Sequence, residues 1–194
     1  MSIAFSRLGS TARLLDGGHV LLRPYEAHDL LAVRALIDRL SPGSRLFRFH
    51  GPIRHISDDL LSRVVSGHAI VAVCDDQLVG LANYIALRDP TVAEVAFAVD
   101  DAQQGRGIGT LLFERLATDA REDGVTRFIA LVLATNYQMN DLLAHLGFTT
   151  SRHLQCGELE YEIKLTRRVE IHLRRSVQAP QRAAPTSPGS SAAS

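Results

Sequence analysis

"DDAQQGRGIGTLLFERL", residues 100–116, sets glycines at 105, 107 and 109 between an apolar run and a segment with helical periodicity. A strand that passes through a glycine-rich turn into a helix leaves several N–H groups free at the positive end of the helix, which suits an anion such as a phosphate. A Walker loop needs Lys and then Ser or Thr after its last glycine; Gly109 runs directly into Thr110, which excludes it. The dinucleotide fingerprint Gly-x-Gly-x-x-Gly, counted from Gly105, meets Thr110 at its sixth place and follows a hairpin rather than the start of a parallel fold. On spacing alone, a glycine-rich turn without a ligand stays open as an alternative.

Upstream, "HVLLRP" (19–24) reads as a strand stopped by Pro24, and "EAHDLLAVRALIDRL" (26–40) as a helix whose apolar face carries Leu30, Val33, Ala35, Leu36, Ile37 and Leu40. After "SPGSRLFRFHGP", Ser57 is placed to cap a second helix, "DDLLSRVVSG". "HAIVAVCDDQLVGLANYIAL" (68–87) is a hairpin turning at Asp75, Asp76 and Gln77, and "TVAEVAFAVD" (91–100) a third strand of the same sheet. Downstream come a buried strand (125–133), a short helix (136–148) ended by Gly147, and an alternating last strand (158–165). The sum is a mixed α/β sheet with helices on its faces. Residues 1–17 read as a flexible leader, 18–168 as one domain, and 169–194, rich in Pro, Ala and Ser, as an extended or disordered tail that cannot bury enough apolar surface to offset its ordering entropy.

The 194 residues carry 21 Lys plus Arg and 21 Asp plus Glu, a formal charge of zero. A nucleic-acid partner is not expected from that balance, because phosphate neutralisation needs a basic excess. Cys74 and Cys156 stand too far apart for paired zinc spacing, so no metal site is expected. With no disulfide framework, long apolar segment or secretory core, the expectation is a cytoplasmic protein with no membrane partner, monomeric or homodimeric.

The pattern Gln104-x-x-Gly107-x-Gly109 after an antiparallel strand resembles the GNAT family of acetyl-CoA-dependent N-acetyltransferases, and the resemblance covers most of residues 19–166. It includes "LRPYEAHD", "EVAFAVDDAQQGRGIGTLLFERL", and Asn136-x-x-Met139 through Gly147 and Phe148. "LSPGSRLFRFHGP" and "DPTVAEVAFAV" are similar to segments of bacterial protein-lysine acetyltransferases of the Pat type, here without the regulatory region that some of those proteins carry in fusion. The resemblance implies an α/β GNAT fold: a mixed, mainly antiparallel sheet, helices on both faces and a splayed central strand pair. It implies that acetyl-CoA is the co-substrate, its pyrophosphate wrapped by backbone N–H groups of Gly105, Arg106, Gly107, Ile108, Gly109 and Thr110. A Cβ at Gly107 or Gly109 would then collide with the phosphates. It further implies that the backbone at Phe97 and Val99 pairs with the pantetheine arm like an added strand, with Asn136 on the far side.

In "TVAEVAFAV" one acid, Glu94, shares a face with Val92, Ala96 and Ala98 by strand alternation. Burial of that face would make the carboxylate costly and so point to function; a solvated strand end would make it ordinary. The resemblance implies that Glu94 is the general base, with an oxyanion met by a backbone N–H near Phe97. Many relatives have a tyrosine seven residues after the Asn as general acid, but this chain has Leu143, and Tyr137 does not replace it by spacing. Arg45 and Arg48 are set either to meet an acidic substrate flank or to lie solvated in a loop that packs Phe47 and Phe49, the second being favoured. Tyr84 and Tyr161 read as core rather than channel, and His68 and His145 as structural or surface groups. The function expected is transfer of acetyl to a protein lysine; acetylation of a small amine and non-catalytic acyl-CoA binding are the alternatives.

Overall fold

The structure, a computed structural model, describes residues 9–145 and 149–165. Eight strands form one sheet in the order β1-β2-β3-β4-β5-β6-β8-β7. They are β1 (Ser10–Arg13), β2 (His19–Pro24), β3 (His68–Cys74), β4 (Gln77–Ala86), β5 (Val92–Val99), β6 (Arg127–Leu133), β7 (Thr149–Gln155) and β8 (Glu158–Lys164). Among the described residues five α-helices accompany them: α1 (Leu30–Arg39), α2 (Pro42–Phe49), α3 (Asp58–Val64), α4 (Ile108–Glu122) and α5 (Tyr137–His145). All neighbours pair antiparallel except β5 and β6, which α4 joins as a crossover. That parallel contact is short: Val92, Ala93 and Glu94 face Arg127, Phe128 and Ile129, and beyond Glu94 the two strands diverge without further register. The splayed central pair expected from the resemblance is therefore present.

Helices cover both faces because the strands are apolar on both. On one side α4 buries Leu112, Phe113 and Leu116 against Ile70, Ala82 and Phe128, with Phe113 meeting Phe128 edge-on at 6.1 Å between centroids. On the other, α1 and α3 bury Leu36, Ile37 and Leu61 against Val71 and Leu81. Each such side chain contributes about 1.5–3 kcal/mol of burial. Asp75 and Asp76 turn the β3–β4 hairpin with φ of 46° and 61°, which a two-residue loop between twisted strands requires.

Three elements differ from the sequence reading. Residues 10–13, assigned to a flexible leader, form β1 and pair with β2 from Ser10 opposite Leu22 to Arg13 opposite His19. Ala12 and Leu14 are buried, and this burial holds a segment whose polar surroundings concealed a strand. Residues 42–49, read as a loop, are α2: Ser41 accepts from the Ser44 N–H at 3.1 Å and Pro42 occupies the first turn, a helix start masked by the alternation of Arg and Phe. β7 was not anticipated at all, since "TTSRHLQ" lacks an apolar face and is held only as an edge strand on β8. The end of α5 at Gly147 and Phe148, the side chain of His145, residues 1–8 of the leader and the 169–194 tail lie outside the described residues.

The entry to α1 is fixed by Asp29. Its carboxylate takes both Arg23 Nη atoms at 2.6 Å and the Glu26 N–H at 2.9 Å. The Arg23 guanidinium beside it holds the Asp29 carboxyl below its ordinary value of 3.8. A depressed carboxyl contributes stability above its unfolded value and loses it as pH falls through the lower folded one, so this contribution is complete at neutral pH and fades below about 3.8. Asp29→Ala is expected to cost about 2–3 kcal/mol, read as a lower urea midpoint at pH 7 that converges on wild type in acid.

Candidate active site

The divergence of β5 from β6 opens a cleft of about 1120 Å³, lined by β5, the 103–110 turn, the start of α4, β6, α5 and α2. Hydrogen bonding fixes which backbone groups face it. The Val92 carbonyl accepts from Leu87 and the Asp100 N–H donates to Val79, so even-numbered residues of β5 turn their backbone toward β4. The Thr91 carbonyl accepts from Thr126 on the opposite side, and odd-numbered residues follow it. The backbone of Phe97 and Val99 consequently points into the gap that β6 has left. Gln104 confirms the direction, since its Nε2 donates to the Val99 carbonyl at 3.0 Å.

The turn needs glycine for reasons visible in the chain itself. Gly105 and Gly107 have φ of 74° and 90°, the left-handed region that side chains avoid, and Gly107 is the residue immediately before α4. Gly109 is helical, but a Cβ there would lie 3.1 Å from Leu142 Cδ1 on α5. Asn136 lines the cleft and caps α5 through its Oδ1, which accepts from the Met139 N–H at 3.2 Å. Of the eleven predicted site residues, Glu94 and all the cofactor-binding positions except Arg106 line the cleft. Arg106 turns away: its Nε donates to Asp16 Oδ2 at 2.6 Å and its carbonyl accepts from Leu15 at 3.1 Å.

That contact joins the β1–β2 turn to the glycine segment, which sequence reasoning missed by treating residues 1–17 as loose. Leu15 is 82 % exposed, yet its Cγ would sit 3.3 Å from a Cβ at position 107. The Arg106 hydrogen bond holds the Asp16 carboxyl below its usual range. Only the charge complementarity of Asp16 and Arg106 signalled the pair in advance.

Glu94 is not buried. Alternation does place it with Ala98 on the α1 side, while Ala93, Val95 and the Phe97 ring pack toward α4, but the carboxylate opens into the cleft, exposed. Above it lies α2. Ser41 and Ser44 bind Asp101 through the Ser41 N–H (2.9 Å) and the two hydroxyls (2.8 and 2.7 Å), and His50 at the other end meets Glu158 at 2.8 Å. Arg48, expected in a solvated loop, instead enters the cleft wall and donates to Asn83 Oδ1 at 3.1 Å.

Leu143 is buried in the core at 1 % exposure and supplies no acid. Tyr84 and Tyr161 are core, as expected, with their hydroxyls on Asp123 and Asn140, and no tyrosine lines the cleft. His68 binds Asp119 and stacks on Tyr84, a structural role. Among the described residues no group of three or more His, Cys, Asp or Glu is set to hold a metal, and no helix is long and apolar enough to cross a membrane.

Residues 34–148 match the model of the acetyltransferase (GNAT) family. This chain belongs to that family. The GNAT enzyme is 36 % identical over 146 residues to acetyltransferase PA5475 of Pseudomonas aeruginosa, covering 71 % of this chain and 78 % of that one. It is 49 % identical over 57 residues to acetyltransferase Pat of Mycolicibacterium smegmatis, a stretch that is 29 % of this chain and 17 % of that longer protein. Its structure is similar to that of the GNAT domain of S. lividans PAT, with a TM-score of 0.77 at 27 % identity, over 84 % of this chain and 99 % of the domain. The cleft fits the family's co-substrate: a paired strand edge left open, two left-handed glycines and the N-terminus of a 15-residue helix converge on one channel. The protein is thus an acetyl-CoA-dependent N-acetyltransferase.

Proposed function

We propose that the acceptor is a lysine side chain on a folded protein, and that Glu94 takes its proton. The observation that carries this is the position of Glu94: a carboxylate open to the cleft, on the strand whose free backbone begins immediately after it. A lysine amine has a pKa near 10.4, so at pH 7 about one in a few thousand is nucleophilic, a penalty of roughly 4.6 kcal/mol. Acetyl-CoA supplies the activated acetyl group: the neutral amine attacks the thioester carbonyl, the C–N bond forms as the C–S bond breaks, and coenzyme A leaves as a thiolate that takes its proton from water. Glu94, directly or through water, accepts the ammonium proton, help that is typically about 10²- to 10⁴-fold in rate. The N–H groups of the open β5 edge, that of Phe97 among them, are fixed donors toward charge developing on the carbonyl oxygen. The N–H groups from Gly105 to Thr110, at the positive end of α4, hold the pyrophosphate.

The protein acceptor is supported by the two segments similar to Pat-type enzymes, residues 40–52 and 89–99. Both contribute to the lining of the cleft, through α2 and β5. Incubation of host-cell proteins with the enzyme and acetyl-CoA should give discrete acetyl-lysines by mass spectrometry. Rapid turnover of a small amine with no labelled protein would overturn the protein acceptor and leave the N-acetyltransferase activity standing.

A further inference from the structure

Arg48 lines the cleft, and no carboxylate among the described residues neutralises its charge. Outside the cleft lining, Arg39 is paired with Asp100 at 2.7 Å, Arg106 with Asp16 at 2.6 Å and Arg115 with Asp119 at 2.9 Å. Arg45, one turn away on α2, is spent on the carbonyls of Leu40, Arg54 and Asp38. Arg48 has one neutral acceptor, Asn83 Oδ1, and the Asn83 side chain is anchored by its Nδ2, which donates to the Ser66 carbonyl at 3.1 Å. Its Nε is buried with no hydrogen-bond partner, and its guanidinium carbon lies 5.6 Å from the centroid of the Phe49 ring. Among the described residues no carboxylate comes within ion-pair distance of it. Burial pulls this guanidinium down to about 10, and the charge of Glu94 across the cleft acts the other way.

A desolvated guanidinium with an unused edge is an expensive arrangement that an anion relieves, and a planar fork of donors matches a carboxylate in two contacts. The cleft wall that holds Arg48 also holds Glu94. It therefore presents one negative group and one positive group, separated and unpaired, to whatever enters on the α2 side.

We infer that Arg48 is a specificity-determining residue that receives a carboxylate carried by the acceptor beside its amine. The inference rests on the proposed placement of the acceptor amine at Glu94. The carboxylate has two sources of identical chemistry, an acidic side chain flanking the target lysine or the α-carboxylate of a free amino acid.

The test uses the full chain loaded with coenzyme A or acetyl-CoA. Capped lysine peptides carrying Asp, or its uncharged counterpart Asn, at each of three positions on either side of the lysine are compared by calorimetric affinity and by thiol-release kcat/KM. Free lysine is compared with lysine amide in the same way. In the wild type, one position, or the free carboxylate, should favour the acid about tenfold or more, and Arg48→Gln should bring that ratio near one. Binding of acetyl-CoA by Arg48→Gln reports that the variant is folded; if it is not, Arg48→Lys, which keeps the charge and loses the fork, should lower the ratio several-fold. A wild-type ratio near one at every position, or a ratio that persists in the variants, overturns the inference. A preference confined to free lysine, without peptide acetylation, supports Arg48 and rejects the protein acceptor. Labelled proteins with no acidic preference do the reverse.

Discussion

Glu94→Gln lowers turnover at pH 7 by about 10²-fold or more, the scale of lost general-base help. Affinity for acetyl-CoA stays close to wild type, because the carboxylate leaves β5 on the face that carries Ala98, while the glycine turn lies at the start of α4 on the other. The substitution keeps shape and hydrogen bonding, and Glu94 is exposed, so stability should not change. The residual rate should climb more steeply with alkaline pH than in the wild type, since the acceptor must then reach its neutral form unaided. Stopped assays of thiol release from pH 6 to pH 9.5 check both features. Wild-type turnover in the variant at pH 7 would assign Glu94 a merely structural place.

Gly107→Val acts on binding. The backbone at 107 sits at φ 90°, and the new Cβ would lie 3.3 Å from Leu15 Cγ, so a β-branched residue there forces the turn to move. Any movement re-aims N–H groups at the start of α4, and acetyl-CoA affinity should fall by about 100-fold or more, roughly the loss of two charge-assisted hydrogen bonds. Strain of the order of 1–3 kcal/mol also lowers the melting temperature. Gly124→Ala separates the two effects: Gly124 has a similar φ of 85°, open space around it and no part in the cleft. It should lose stability and keep its acetyl-CoA affinity.

The middle of the chain was legible because its signals are redundant. β3 and β4 flank a two-residue Asp turn, Ser57 caps α3 through the Leu60 N–H as its position implied, and the glycine segment sits between a strand and a periodic helix. β1 and β7 were not legible because edge strands with polar faces carry no period-two pattern; neighbouring strands hold them in place. α2 was hidden by its alternating Arg and Phe, which suited a loop as well as an eight-residue helix pinned at both ends by Asp101 and Glu158. The site followed the same rule. Phe97, Val99 and the glycines, named by the resemblance to the family, do line the cleft. The Leu15–Asp16 contact with the turn, the orphaned Arg48 and the exposure of Glu94 depend on packing between segments far apart in the chain, 35 residues for Arg48 and Asn83 and 90 for Asp16 and Arg106, which no local pattern encodes.

The measurement that bears most directly on the account is a calorimetric titration of acetyl-CoA into the folded wild-type chain. One molecule should bind per cleft, and binding should be lost in Gly107→Val while Gly124→Ala matches the wild type. Absence of binding to the folded wild type, or equal affinity in Gly107→Val, would contradict the assignment of the β5–β6 cleft to acetyl-CoA.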